Sequence, residues 1–95
     1  MPAYMIARIN VTDPEQYKNY IAATPAIIEK FGGRFIARGG ETVTLEGEQE
    51  TRRIAIVEFP ALDNIREFYD SAEYKAAMKL REGAAELDIL GVAGV

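Results

Sequence analysis

The feature that most restricts this chain is a mismatch between the two faces of its apolar stretches. AYMIARINV at 3–11, RFIAR within GGRFIARGG at 32–40 and RRIAIVEF at 52–59 all alternate with the period of a β-strand. Successive side chains of a strand point to opposite faces. Sorting by parity places Met5, Ala7, Ile9, Phe35, Ala37, Ala55, Val57 and Phe59 together, and every member is apolar. The other set is Tyr4, Ile6, Arg8, Asn10, Arg34, Ile36, Arg38, Ile54, Ile56 and Glu58. The first set calls for a covering layer of helices. The second has too many isoleucines for a fully wet surface and too many charges for a dry core.

The segments between these strands read as helices. Asp13 is placed to cap, Pro14 suits the first helical position, and Gln16 completes a capping-box pattern. Tyr17, Tyr20, Ile21, Thr24, Ile27, Ile28 and Phe31 then recur at helical spacing. Pro25 interrupts them, lacking an N–H and crowding the Ile21 carbonyl, so a kink or short break is expected. Gly32 suits the left-handed residue after the helix. The second strand is expected at Gly33–Arg38, continued by Thr42–Glu46, with Gly47-Glu48-Gln49 as a hairpin turn before Arg52–Phe59. Leu62, Ile65, Phe68 and Tyr69 mark a short helix. Asp70-Ser71-Ala72-Glu73 caps another, with Tyr74, Met78, Arg81 and Ala85 on one stripe. A last strand covers about Leu87–Val95. The order is β-α-β-β-α-β with the second helix in two pieces, a ferredoxin-like sandwich of class α+β, antiparallel, with helices on one face.

The chain has 95 residues, which points to a single domain over 1–95. The net charge of −4 disfavours nucleic-acid binding, which relies on basic residues to neutralise phosphates. No apolar run reaches membrane-span length and the N-terminus lacks a signal-peptide pattern, so no membrane partner and a cytoplasmic location are expected. Without cysteine or histidine there are no disulfides, thiolate nucleophiles, Ser-His triads or His-ligated metals. Acid–base chemistry is left to Asp, Glu, Tyr, Lys or water. The glycines match no phosphate loop, and the acidic EGEQE at 46–50 lacks the spacing of a calcium loop. No cofactor or metal is expected.

The mixed face is accounted for economically by a second sheet from an identical chain, giving a two-fold dimer that is apolar in the middle and polar where a pocket opens. Four positions apart, Arg34 and Arg38 share that face. Gly39-Gly40 then permits a bulge or bend just after Arg38 that aims its side chain.

GGRFIARGG at 32–40, VEFP at 57–60, FYDSAEYKAA at 68–77 and Arg81 in KLREGAA together make the chain resemble the domain of unknown function 1330 family, within the dimeric α+β barrel superfamily. The resemblance runs nearly end to end. It implies a ferredoxin-like fold, a homodimer with facing sheets, and no established biochemical role.

Within the matched motifs, Arg38 reads either as a receptor for a carboxylate or phosphate or as an ion-pair partner of Glu58. Glu58 reads either as a general base or as the partner of Arg38 or Arg8. Tyr69, Ser71, Tyr74 and Arg81 are candidates for a polar pocket rim, or else caps and packed aromatics. Tyr17 and Tyr20 read as core or dimer contacts. The favoured function is binding of a small, partly apolar organic acid by a homodimer. The alternatives are a cofactor-independent isomerase- or monooxygenase-like enzyme with Glu58 catalytic, and a dimeric interaction module without a ligand.

Overall fold

The computed structural model describes residues 1–95. Its elements are β1 (Ala3–Val11), α1 (Pro14–Lys30), β2 (Arg34–Arg38), β3 (Arg53–Phe59), α2 (Leu62–Asp70), α3 (Ala72–Lys79) and β4 (Ala85–Ala93). One antiparallel sheet runs β2-β3-β1-β4, and the helices share one of its faces. This is the expected ferredoxin-like α+β arrangement.

Local chemistry sets the helix ends. The Gln16 amide donates to Asp13 Oδ1 at 3.2 Å, so Asp13 caps α1. The Gln16 side chain does not close the capping box. It donates to the Leu80 and Glu82 carbonyls at 3.3 and 2.7 Å, tying α1 to the turn after α3. At the other end Gly33 N–H bonds the Ile28 carbonyl and Gly32 N–H bonds that of Glu29, a Schellman closure with Gly32 at φ 84°. Ser71 ends α2 and caps α3, donating to the Phe68 carbonyl at 2.7 Å and accepting the Tyr74 amide at 3.1 Å.

The apolar set of strand positions lies under the helices. Ala3, Met5, Ala7, Ile9, Ala55, Val57 and Phe59 are buried against Tyr17, Tyr20, Ile28, Ile65, Phe68 and Tyr74. Phe35 is only partly buried at the edge of this core.

Four expectations need correction. The first helix runs unbroken through Pro25. The second strand stops at Arg38, because Gly39 turns the chain at φ 70° after bonding the Ile54 carbonyl at 2.8 Å. The segment 42–46 therefore pairs with nothing, 47–49 is no tight hairpin, and Val43 and Leu45 are 77% and 84% exposed. The helical stripe through Tyr74 ends at Lys79, so Arg81 lies in a turn and Ala85 begins β4.

The fourth correction moves side chains between faces. Arg34 stands opposite Glu58 and Phe35 opposite Val57, but Ala37 is opposite Ile56 and Arg38 opposite Ala55. Ile36 is therefore an extra residue in a β-bulge that precedes Arg38. A one-residue slip exchanges faces. Ala37 joins the mixed face, and Arg38 joins the helix-covered face with Ala55.

Ser71 holds two helix ends with one hydroxyl. Replacing it by alanine should destabilise the fold by about 1 kcal/mol, lowering the thermal midpoint by roughly 4–8 °C. Calorimetry of Ser71→Ala checks this.

Candidate functional site

Two small residues hollow the sheet beneath α1. Ala7 and Ala55 are direct cross-strand partners in its centre. With no bulk between them and α1, a cavity of about 50 Å³ remains, walled by Tyr17, Tyr20, Thr24, Phe35 and Ile89 among others. Its lining includes no acidic side chain, and its only charges are Arg38 and Arg53. Space of this order takes roughly three or four water-sized groups.

Each arginine reaches the cavity for a separate structural reason. The bulge at Ile36 brings Arg38 to this side. Its Nη2 donates to the Ile21 carbonyl of α1 at 3.1 Å, and its Cζ lies 4.3 Å from the Phe35 ring centroid. Arg53 shares the parity of Ala55, Val57 and Phe59, opposite Ile9. Its guanidinium occupies the space beside Gly39, where an added Cβ would come within 2.7 Å of Arg53 Cζ. The double arginine at 52–53 and the alternation through Phe59 carry this information in the sequence. Arg53 lies outside the motifs GGRFIARGG and VEFP, which is why they do not point to it.

A third guanidinium sits behind the tyrosines. Arg81 Cζ lies 5.3 Å from the Tyr20 ring centroid, and its Nε is buried without a hydrogen-bond partner. The Tyr20 and Tyr74 hydroxyls meet at 2.6 Å in the core. Burial opposes the charge of Arg81, but the Tyr74 and Tyr20 oxygens outweigh it and raise its pKa. Burial raises the Tyr17 phenol above its ordinary 10.0 despite the pull of Arg53, Arg81 and Arg38. Burial, reinforced by Tyr74, raises Tyr20 strongly.

The remaining candidates are dispersed. Tyr69 and Arg81 line a second, open groove of about 560 Å³ between α2 and β4, whose other charged residues are Arg66, Asp70 and Asp88. Ser71 caps α3, and Tyr74 is 1% exposed. Glu58 lies on the face opposite the cavity and accepts from Arg34 Nε at 3.0 Å. The expected Arg38–Glu58 and Arg8–Glu58 pairs do not form, since the bulge removes Arg38 and Arg8 pairs with Glu50 at 3.6 Å.

The charge pattern separates the arginines cleanly. Arg8, Arg34, Arg52 and Arg66 each have a carboxylate partner. Arg38, Arg53 and Arg81, the three around the cavity and its tyrosines, have none, although the chain carries 15 acidic residues. No group of three or more acidic side chains is gathered to hold a metal ion, and no helix is long and apolar enough to cross a membrane.

The model of the domain of unknown function DUF1330 matches residues 2–95. No curated protein matches the chain. Among solved structures, a protein of unknown function from Rhodopseudomonas palustris is similar at 21% identity and TM-score 0.78, covering 99% of this chain and 82% of that one. SnoaB, a cofactor-independent oxygenase from Streptomyces nogalater, is similar at 14% identity and TM-score 0.70, covering 99% and 93%. A dimeric protein of unknown function and ferredoxin-like fold from Bacteroides fragilis is similar at 18% identity and TM-score 0.57, covering 98% and 96%.

The raised phenols make stability pH-dependent on the alkaline side. A phenol whose folded pKa exceeds its unfolded value stabilises fully below the unfolded value and loses this as pH rises toward the folded one. Stability should therefore fall above about pH 10. Tyr20→Phe should flatten that fall, read as unfolding midpoints between about pH 9 and 11.5.

Proposed function

The chain belongs to the domain of unknown function DUF1330 family, and on that premise we propose that it is a homodimer whose subunits each bind a small, partly apolar organic acid. The observation that carries the reading is the set of unpaired arginines around an apolar cavity. Mixed-sign surfaces normally pair their guanidiniums with carboxylates. In an acidic chain, two such groups lining one cavity, with Arg81 behind its Tyr20 wall, fit a site whose counter-charge is the ligand.

Arg38 and Arg53 would take the carboxylate at the mouth, while the alanine-floored interior takes a short apolar body. Arg81 adds positive potential from behind Tyr20. The volume favours an acid of few heavy atoms, since drug-sized sites need roughly 300–1,000 Å³. Tyr74 acts on this site through Tyr20. In this reading Tyr69 borders the neighbouring groove and Ser71 keeps its helix-capping role.

The homodimer rests on the uncovered face. Ile6 pairs across the sheet with Ile56 on one side and Leu90 on the other, an aliphatic band through three strands. Ile36, Leu90 and Val92 remain 47%, 46% and 44% exposed. Ion pairs flank the band, with Arg34–Glu58 at one end and Arg8, Glu50, Arg52 and Asp88 at the other. An apolar centre with a satisfied polar rim is the anatomy of an interface, and an identical copy supplies the same band by two-fold symmetry.

The likeness to SnoaB favours a second reading, a cofactor-independent oxygenase- or isomerase-like enzyme on the same pocket. The Arg38 and Arg53 guanidiniums would stabilise negative charge developing on a bound acid. Glu58, across the sheet, would then need no part in proton transfer, which would fall to water.

Titration with propionate, followed by amide chemical shifts, should perturb residues lining the cavity, while propanol should not. Arg38→Gln and Arg53→Gln should each weaken propionate binding by about 1.5–3 kcal/mol, the worth of a charge-assisted hydrogen bond. Unchanged affinity in both variants would remove the anion site. Separately, Ile56→Asp should convert the dimer to a monomer in light scattering, since a buried unpaired carboxylate costs several kcal/mol at an apolar interface.

A further inference from the structure

Arg38 can serve as a receptor only if its planar fork stands ready at the cavity mouth. The group that holds it is a main-chain carbonyl in the middle of α1. In an uninterrupted helix the Ile21 carbonyl accepts the N–H of residue 25. That residue is Pro25, which has no N–H and whose ring crowds the same oxygen. Yet α1 continues from Pro14 to Lys30, and the Ile21 oxygen takes its hydrogen bond from Arg38 Nη2 instead. Ile21 and Arg38 both line the cavity.

We infer that Pro25 is a positioning residue for Arg38: by withholding an amide, it leaves a carbonyl acceptor on the cavity wall to which the guanidinium docks. The functional consequence rests on the anion-binding reading; the docking itself does not. Of the five N–H donors of the guanidinium, one is held by Ile21, while the Phe35 ring backs its plane. Donors remain for a carboxylate. An exposed arginine at the end of an edge strand ordinarily samples many rotamers, and a ligand would have to order it. Here the fold has already done so. The cost falls on the helix, which keeps a proline where another residue would complete the ladder.

The test compares the parent with Pro25→Ala and Pro25→Gln, using propionate as the probe. Either substitution returns an amide that can bond Ile21. The expected results are protection of the residue-25 amide from solvent exchange and a thermal midpoint no lower than the parent's. The Arg38 Nη signals, distinct at low temperature in the parent, should merge in the variants as guanidinium rotation is freed. Propionate affinity should fall about three- to tenfold, the cost of immobilising one long side chain. Unchanged Arg38 signals in both variants would overturn the positioning role, as would failure of both to fold. Lack of propionate binding by the parent would overturn the anion pocket instead, leaving the Arg38 signals to decide the role of Pro25. Merged Arg38 signals with unaltered propionate affinity would sustain the docking and overturn its consequence for binding.

Discussion

Between Phe35 and Ala37 the β2–β3 ladder skips one residue, and the charged end of the cavity depends on that skip. Without it, strict alternation would leave Arg38 beside Arg34 on the uncovered sheet face. With it, the guanidinium passes to the helix side, meets the Ile21 carbonyl and stands beside Arg53. Pairing continues past the bulge through Arg38, and Gly39 then turns out of the strand after bonding the Ile54 carbonyl. Its missing side chain leaves the room that the Arg53 guanidinium fills. One extra residue in an edge strand thus brings Arg38 to the opening that Arg53 already reaches through its own alternation.

The two sheet faces now divide their work. The covered face is apolar except at the cavity mouth, and its hollow follows from the Ala7–Ala55 pair. The uncovered face keeps its charges at the margins, where they are ion-paired, and its aliphatic residues in the centre. Paired charges at a rim and unpaired charges at a cavity are different physical situations. The first suits a surface that meets another protein surface. The second suits a site completed by a small anion.

The family match spans residues 2–95, and the fold is shared with proteins as distant as an oxygenase at 14% identity. A fold of this kind hosts unrelated activities, so function has to be argued from side chains in the cavity. The tyrosines there are buried and resist ionisation, which makes them hydrogen-bonding walls rather than bases at neutral pH.

Much of the architecture was legible in the chain. Alternation, the Asp13 and Ser71 caps, the Gly32 terminus and the uneven second face are local patterns, each set by residues within a few positions. They sufficed for element order, helix ends, the apolar core and a second sheet face of mixed apolar and charged character. The candidate site was only partly legible. Alternation places Arg38 on the uncovered face within reach of Glu58, whereas the bulge moves it to the covered face and leaves Glu58 to Arg34; Arg53 lies outside the motifs that single out the candidate residues. Thr42–Glu46 alternates like a strand yet has no neighbour to complete its hydrogen bonds. The placements of Arg38, of the partner of Glu58 and of 42–46 turn on register between strands far apart in sequence. Periodicity reports which side chains alternate. Only the packed ladder, where backbone donors and acceptors must all find partners, decides where the alternation slips.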